Sequence, residues 1–353
     1  MDVKDVVLKG YSDRVTSDCG SMGAEAAAVC RMDAHDPELL RNVPEEIITR
    51  DYGCGNPSKF ARPGETILDL GSGSGKICYV LAQIAGPEGQ VIGVDMNKDM
   101  LALSRSHQDS FVQTIGYANL RFALGSIDDL QTNLEFVQQA VRGRQMNSLD
   151  DYDDLQRVLA EQRRTSPLIA DASVDLVVSN CVINLVDTDR KRNVLEEVFR
   201  VLKPGGRIAL SDNVSNIEVP DTLKSDPELW VGCYSGVYQE QAFYRALEEV
   251  GFAGLVVADR DGLPDKKIGD VEFQSVTVTA FKPLTVPSDA GRTSVLYKGP
   301  WSQVSTENGI VLRRGDITEI DDATLGHLRQ SAFAEQIYFL NDPNTRQRTG
   351  CCS

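Results

Sequence analysis

Histidine is nearly missing from this chain: His35, His107 and His327 are the three in 353 residues. None stands near a recognisable strand end, so the commonest general base for activating an oxygen or nitrogen nucleophile is not evident. Positive charge is also short, with 36 Lys and Arg against 52 Asp and Glu, a net charge of -16 and a pI near 4.7. Nucleic-acid binding needs cations to displace counterions, and no Lys/Arg cluster supplies them, so no nucleic-acid partner is expected. Long apolar runs are lacking as well, which excludes a bilayer span. The start, MDVKDVVLKGYSDRV, has neither the apolar stretch nor the small-residue cleavage site of a secretory signal. A cytoplasmic protein without a membrane partner is the expectation. Paired CxxC spacings are absent too, which fits a structural zinc site poorly.

Cysteine itself is plentiful, with eight in the chain. In a reducing compartment these read as thiol chemistry rather than structural disulfides. Ahead of most of them in information stands Glu65 to Met96, ETILDLGSGSGKICYVLAQIAGPEGQVIGVDM, a strand, glycine loop, helix and strand ending in an acid. Thr66 to Leu70 suits a buried strand, and Gly71, Gly73 and Gly75 follow where the chain must turn into a helix starting near Lys76. The dinucleotide fingerprint wants glycine at the sixth loop position, where Lys76 stands, so the loop reads GxGxG and favours S-adenosylmethionine over NAD. Asp95 closes VIGVD with a carboxylate able to accept both ribose hydroxyl protons. A glycine-rich turn of some other α/β protein is the competing reading, weakened by the strand, helix and acid around it.

The rest of the chain extends this unit into a mostly parallel, doubly wound sheet. Asn119 to Phe122 leads into LGSIDDL, DLVVS (175–179) is a fourth strand, Asp187 to Leu202 an amphipathic helix, and LKPGG a turn. RIALS (207–211) is a fifth strand, Glu240 to Val250 a helix, and FQSVTVTAF (273–281) a late antiparallel strand. This order is that of a class I Rossmann-like methyltransferase, an α/β fold. Residues 131–170 read as an inserted helical excursion, with apolar patches at Leu134/Val137/Val141 and Leu155/Val158/Leu159. From about Pro283, TSVLYKG and IVLRRGDI are strand-like and a helix is expected near Ala323 to Leu340. The division expected is 1–60, an N-terminal segment with a cysteine-bearing loop; 61–214, the methyltransferase core; 215–283, an acceptor-binding region; and 284–353, a small C-terminal domain.

Such a fold does not name its acceptor, because methyl transfer needs mainly positioning. Cysteines stand in the right places to do so: Cys54 in YGCG before the core, Cys181 directly after the fourth strand, and Cys233 in LWVGCYSG beyond the fifth. Strand ends form the ligand edge of an open sheet, so three distant thiols can converge there. Any single cysteine is more often a small core hydrophobe, and Cys78, among Ile77, Val80 and Leu81, reads that way. Cys54 differs through its flanking Gly53 and Gly55. Thiolates without histidine suit a soft thiophilic species.

RDYGCG (50–55), ILDLGSGSG (67–75), VIGVDM (91–96), VVSNCVINLV (177–186), VLKPGG (201–206) and LWVGC (229–233) together resemble the arsenite S-adenosylmethionine methyltransferase family across nearly the whole chain. The resemblance implies methylation of trivalent arsenic to mono-, di- and trimethylated products. It carries over Cys181 and Cys233 as the principal arsenic-binding thiols and Cys54 as third thiol and redox partner. Cys30 is its fourth catalytic cysteine, with Cys19 as rival. It places Gly71, Ser72 and Gly73 at the cofactor's methionine end with Asn180, Asp95 on the ribose, and Met96, Ile127 and Asp128 at the adenine, with Tyr52, Asp69 and Gly75 also among the cofactor-binding residues. Met96 and Ile127 also read as core residues, and Asp128 as part of a solvated loop. The family's Arg-Asp after the last loop glycine is Lys76-Ile77 here, a departure that removes the aspartate. Cys30 and Cys54 are the expected disulfide pair that returns arsenic to the trivalent state, with thioredoxin or glutathione as reducing partner. The substrate implied is arsenite or glutathione-bound arsenite, handled by a monomer. The vicinal Cys351-Cys352 pair reads equally as an arsenic collector or an idle thiol pair, and Trp230 as a cavity wall or a core residue. Two other classes compete: methylation of an organic acceptor such as a quinone or sterol, which needs no converging cysteines, and noncatalytic sequestration of a thiophilic metalloid, which needs no cofactor loop.

Overall fold

The fold is that of a computed structural model, which describes residues 2–16, 35–53, 55–144, 147–260, 264–283, 293–306 and 309–340. In chain order the elements begin α1 (Val3–Thr16), β1 (Thr66–Leu70), α2 (Lys76–Ala85), β2 (Gln90–Asp95), α3 (Lys98–Ser106), α4 (Gln108–Ile115) and β3 (Leu120–Leu124). They continue α5 (Leu134–Val141), α6 (Leu149–Thr165), β4 (Val174–Asn180), α7 (Lys191–Val201), β5 (Leu202–Ser215), α8 (Pro227–Val231), β6 (Tyr238–Gln239), α9 (Glu240–Val250), β7 (Ala253–Arg260), β8 (Lys266–Ile268) and β9 (Val271–Phe281).

Apolar residues on both faces of the central strands drive the layering. Along β1, Ile67 packs into one buried cluster with α2 and α3 residues such as Leu81 and Leu101, while Leu68 and Leu70 face the other, with Leu195 and Val198 of α7 and Leu247 of α9. The sheet order is β3-β2-β1-β4-β5-β9-β7, with β6 and β8 appended. The first five strands are parallel, and β9 runs antiparallel between β5 and β7. This is the α/β methyltransferase order expected from the sequence.

Two expectations change. LKPGG is not a turn between helix and strand: β5 starts at Leu202, and pairing to β4 slips from Val174↔Leu202 to Leu176↔Arg207. Gly205, at φ 80°, absorbs the extra residues as a bulge. The last helix also ends early. Asp321 caps α10 (Asp322–Gln330), and Ile337–Leu340 is instead a strand, antiparallel to Thr293–Tyr297. Its run of β-branched and aromatic residues favours that edge over helix. With Ile317–Ile320 on the other side, these strands form a three-stranded sheet. Its own core includes Val295, Tyr297, Leu312, Ile320 and Leu328.

The insertion is helical, as expected. Ser148 caps α6 with a capping box. Gln162 joins α6 to the start of the insertion by donating to Gln131 O at 3.2 Å, and closes its own helix end by donating to Ser166 O at 2.7 Å.

Candidate active site

The sheet order reverses at β1, between β2 and β4, and the crevice beyond the carboxyl ends of such strands is the usual ligand position. A cavity of about 700 Å³ opens there, within the range that holds small-molecule ligands. Tyr52, Asp69, Gly71, Ser72, Gly73, Asp95, Met96, Ile127, Asp128, Asn180 and Cys181 all line it. Gly75 does not. At φ 94° it caps α2 from behind the loop, where a Cβ would lie 2.8 Å from the Phe122 ring, so it is needed for packing rather than for ligand contact.

The glycine loop is built to approach a ligand. Gly71 and Gly73 have φ of 64° and 52°, a region disfavoured for residues with a Cβ. Ser72 Oγ is buried without a hydrogen-bond partner among the described residues, an orphan that a bound polar group would satisfy. Asp95 holds the loop by accepting from Gly73 N at 2.8 Å and Asn97 N at 2.7 Å. Burial nevertheless raises its pKa. Asp128 is also engaged, by Ser126 Oγ and by Arg190 Nε at 2.5 Å. Ile127 serves both readings made of it, lining the cavity and belonging to the core.

The loop at 50–55 is clamped against the sheet. Asn180 at the end of β4 donates Nδ2 to Gly55 O and accepts Gly55 N at Oδ1, both at 3.0 Å. A Cβ on Gly53 would meet that amide at 2.1 Å, and one on Gly55 would meet Ser211 Cβ at 2.7 Å. Beside them, Lys76, only 3% exposed, forms an ion pair with Asp51. The lysine that departs from the family pattern therefore ties the cofactor loop to this segment. Cys54 lies outside the described residues, as do Cys30, Cys19 and the Cys351-Cys352 pair.

Cys181 and Cys233 meet, together with Leu185, in a small buried cluster. Both have left-handed backbones, φ 58° and 63°, shared among described non-glycine residues only by Ala172. Such conformations cost about 1–3 kcal/mol each and concentrate at functional sites. Cys181 N donates to Ser211 O at 2.8 Å, and Cys233 Sγ donates to Cys181 O at 3.3 Å. Cys181 is disulfide-bonded. Cys233 is a free thiol, its pKa pushed up to about 12 by burial and by Asp212. Cys78 is a buried core thiol, as read, and donates to Asp69 at 3.1 Å. Among the described residues no group of three His, Cys, Asp or Glu is placed to hold a metal ion, and no histidine lines the cavity. Trp230 does not line it either; it packs with Val3 and Val7 under α1.

The sequence reading missed α1, whose Val7, Leu8 and Tyr11 form a further wall of the cavity. Its signal was the Val3, Val7, Tyr11 stripe, four residues apart as on one helical face. It also missed the Lys76–Asp51 pair, whose signal was a lone lysine opening an otherwise apolar helix.

The comparisons agree with this geometry. A family model described as a methyltransferase domain matches residues 61–251, and one described as a domain of unknown function matches 287–351. The arsenite methyltransferase of Mus musculus is 32% identical, aligned over 94% of this chain and 80% of its own. That of Aquipseudomonas alcaligenes is 32% identical over 95% and 88%. The crystal structure of CrArsM, an arsenic(III) S-adenosylmethionine methyltransferase from Chlamydomonas reinhardtii, superposes with a TM-score of 0.57 at 27% identity, covering 88% of this chain and 97% of that one. With a cofactor-sized cavity at the sheet's switch point and two strained cysteines at its edge, the chain belongs to the arsenite methyltransferase family.

Proposed function

We propose that this chain transfers methyl groups from S-adenosylmethionine to thiol-bound trivalent arsenic. The observation that carries the reading is the meeting of Cys181 and Cys233, 52 residues apart, with the thiol of one 3.3 Å from the carbonyl of the other beside the cavity. An organic acceptor gives no reason for two buried cysteines in strained backbone at that place.

The residues fit the methyl donor: the orphan Ser72 hydroxyl, the open glycine loop and the carboxylates of Asp69 and Asp95 suit its amino-acid and ribose groups. Met96, Ile127 and Asp128 are assigned to the adenine. When bound, this cofactor supplies an electrophilic methyl on a sulfonium. The chain's part is to hold arsenic in line with it. Each As–OH exchanges with a cysteine S–H to give As–S and water, so the neutral thiol of Cys233 needs no base. Arsenic then keeps an exposed lone pair as nucleophile. Methylation oxidises arsenic formally by two electrons. Two thiols restore it by closing a disulfide, giving up two electrons and two protons; Cys30 and Cys54 are the assigned pair, and the disulfide at Cys181 has to be reduced before that residue takes arsenic. Glutathione or thioredoxin resets the enzyme. A cytoplasmic monomer acting in arsenic detoxification completes the reading; among the described residues no helix is long and apolar enough to cross a membrane.

The test is purified protein with labelled S-adenosylmethionine, glutathione and arsenite, products resolved by arsenic speciation, against Cys181→Ser. Methylated arsenicals from the wild type and a loss of at least about 100-fold in the variant are expected. Binding of arsenite without methyl transfer would identify a sequestering protein, and equal turnover by the variant would remove the cysteines from the mechanism.

A further inference from the structure

We propose that Tyr11 is a positioning residue for the arsenic-binding thiol of Cys233, and that α1 links its placement to the cofactor half of the site. The inference rests on the arsenite reading above. Tyr11 Oη lies 3.7 Å from Cys233 Sγ, and that sulfur in turn donates to Cys181 O at 3.3 Å. The thiol therefore sits between an acceptor carbonyl and a phenol that donates to it. When the thiol proton leaves with arsenic's hydroxide as water, the bond to Cys181 O is lost, since sulfur has nothing left to donate. The Tyr11 bond survives, because sulfur accepts in both states. Of these two contacts, the phenol is the one that orients the arsenic-bearing sulfur throughout the reaction.

Helix α1 reaches both halves of the site. On the acceptor side Gly10 lets it close on α8, where a Cβ would lie 2.7 Å from Val231, and Arg14 Nη2 donates to Val231 O at 3.4 Å. The Arg14 guanidinium stands over the rings of both Tyr11 and Tyr52, at 4.8 and 4.7 Å, and the two rings meet edge to face at 5.9 Å. On the cofactor side Asn97 donates to Leu8 O at 3.2 Å and exchanges hydrogen bonds with Ser12, while its own N–H donates to Asp95 at 2.7 Å. A chain of contacts thus runs from the ribose-binding carboxylate through Asn97 and α1 to Tyr11 and the thiol. A ligand that settles Asp95 favours the seated helix, and a seated helix holds Cys233 ready. By linkage each ligand tightens the other.

Arsenite binding by the fully reduced chain, followed through the fluorescence of Trp230 under α1, tests this with and without S-adenosylhomocysteine. The wild type is expected to bind arsenite at least about 5-fold more tightly with S-adenosylhomocysteine present. In Tyr11→Phe, arsenite binding should weaken about 10-fold and the gain should vanish, while affinity for S-adenosylhomocysteine alone holds within about 2-fold. Unchanged arsenite affinity in that variant overturns the inference and leaves the arsenite reading standing; a wild type that binds no arsenite overturns both. Should Tyr11→Phe not fold, Asn97→Ala decides the link, since it keeps the phenol and must lose the gain. A full gain in Asn97→Ala refutes the link.

Discussion

Burial lifts the carboxyl of Asp69 from its ordinary 3.8 to about 7, against the pull of the Cys78 thiol and with Asp51 and Asp95 pushing the same way. A cationic ligand beside it prefers the carboxylate, so binding below that value must expel a proton. Affinity for S-adenosylmethionine should then fall about tenfold per unit as pH drops below 7. Calorimetric titration between pH 5.5 and 8 measures the slope, in buffers of different ionisation heat to count the proton. Asp69→Asn should bind more weakly and with a flat profile; an unchanged slope would place the titrating group elsewhere. The thiol of Cys233 follows the same rule with the opposite use, since burial keeps its proton in place until arsenic's hydroxide takes it.

At the scale of elements, the loop at 50–55 depends on Asn180. Each polar end of that amide bonds Gly55, which seats the loop. Asn180→Ala should lower arsenite methylation about 10- to 100-fold while the dissociation constant for S-adenosylhomocysteine moves less than about 3-fold. Equal losses in both would make Asn180 a cofactor contact instead, as its place in the cavity wall allows. The contrast between this loop and β1–α2–β2 explains how far the sequence could be read. Gly71, Gly73, Asp95 and the strands around them are local features, with the glycines standing where φ is positive. Cys181 and Cys233 also take positive φ but carry no glycine to announce it, because their backbone is fixed by contacts with Ser211 and Trp230. Asn180 could be named as a site residue from its strand end, yet its bond to a residue 125 positions away has no local trace. The same holds for α1, whose short stripe gains meaning only from Trp230 and Asn97. The last strand was misread because a run of 4 residues is too short for periodicity to part strand from helix until the free edge of Thr293–Tyr297 is there to pair with.

At the scale of the molecule, buried titrating groups shape the response to pH. Asp69 and Asp212 both stand near 7, lifted chiefly by burial, while Lys191 is lowered from 10.5 to about 8 by burial, against the attraction of Asp212. Between pH 4 and 7 the folded chain holds protons on the two carboxyls that the unfolded chain has released. Each of them lowers stability as pH rises through that window, by up to about 1.4 kcal/mol per unit; Asp95, also raised by burial, acts the same way, while His35, lowered by burial to about 4, offsets one such share up to its ordinary 6.5. Above pH 8 the sign reverses, because unfolded Lys191 keeps a proton that the folded one has lost; the self-repulsion of a chain already at -16 works against that recovery. Carboxyls held low by their partners, such as Asp321 beside Thr324, act below pH 4 and do not enter the window. Urea unfolding of the cofactor-free, reduced chain should give a stability minimum between pH 7 and 8. Asp69→Asn and Asp212→Asn should each lessen the fall between pH 5 and 7 by up to about 1.4 kcal/mol per unit, and the double variant by the sum of the two shares. An undiminished decline in the double variant would assign the protons to other carboxyls. Saturating S-adenosylmethionine should shrink the Asp69 share alone, because a bound cation returns that group toward its ordinary value and leaves Asp212, held by Asn184 at 2.6 Å, as it was.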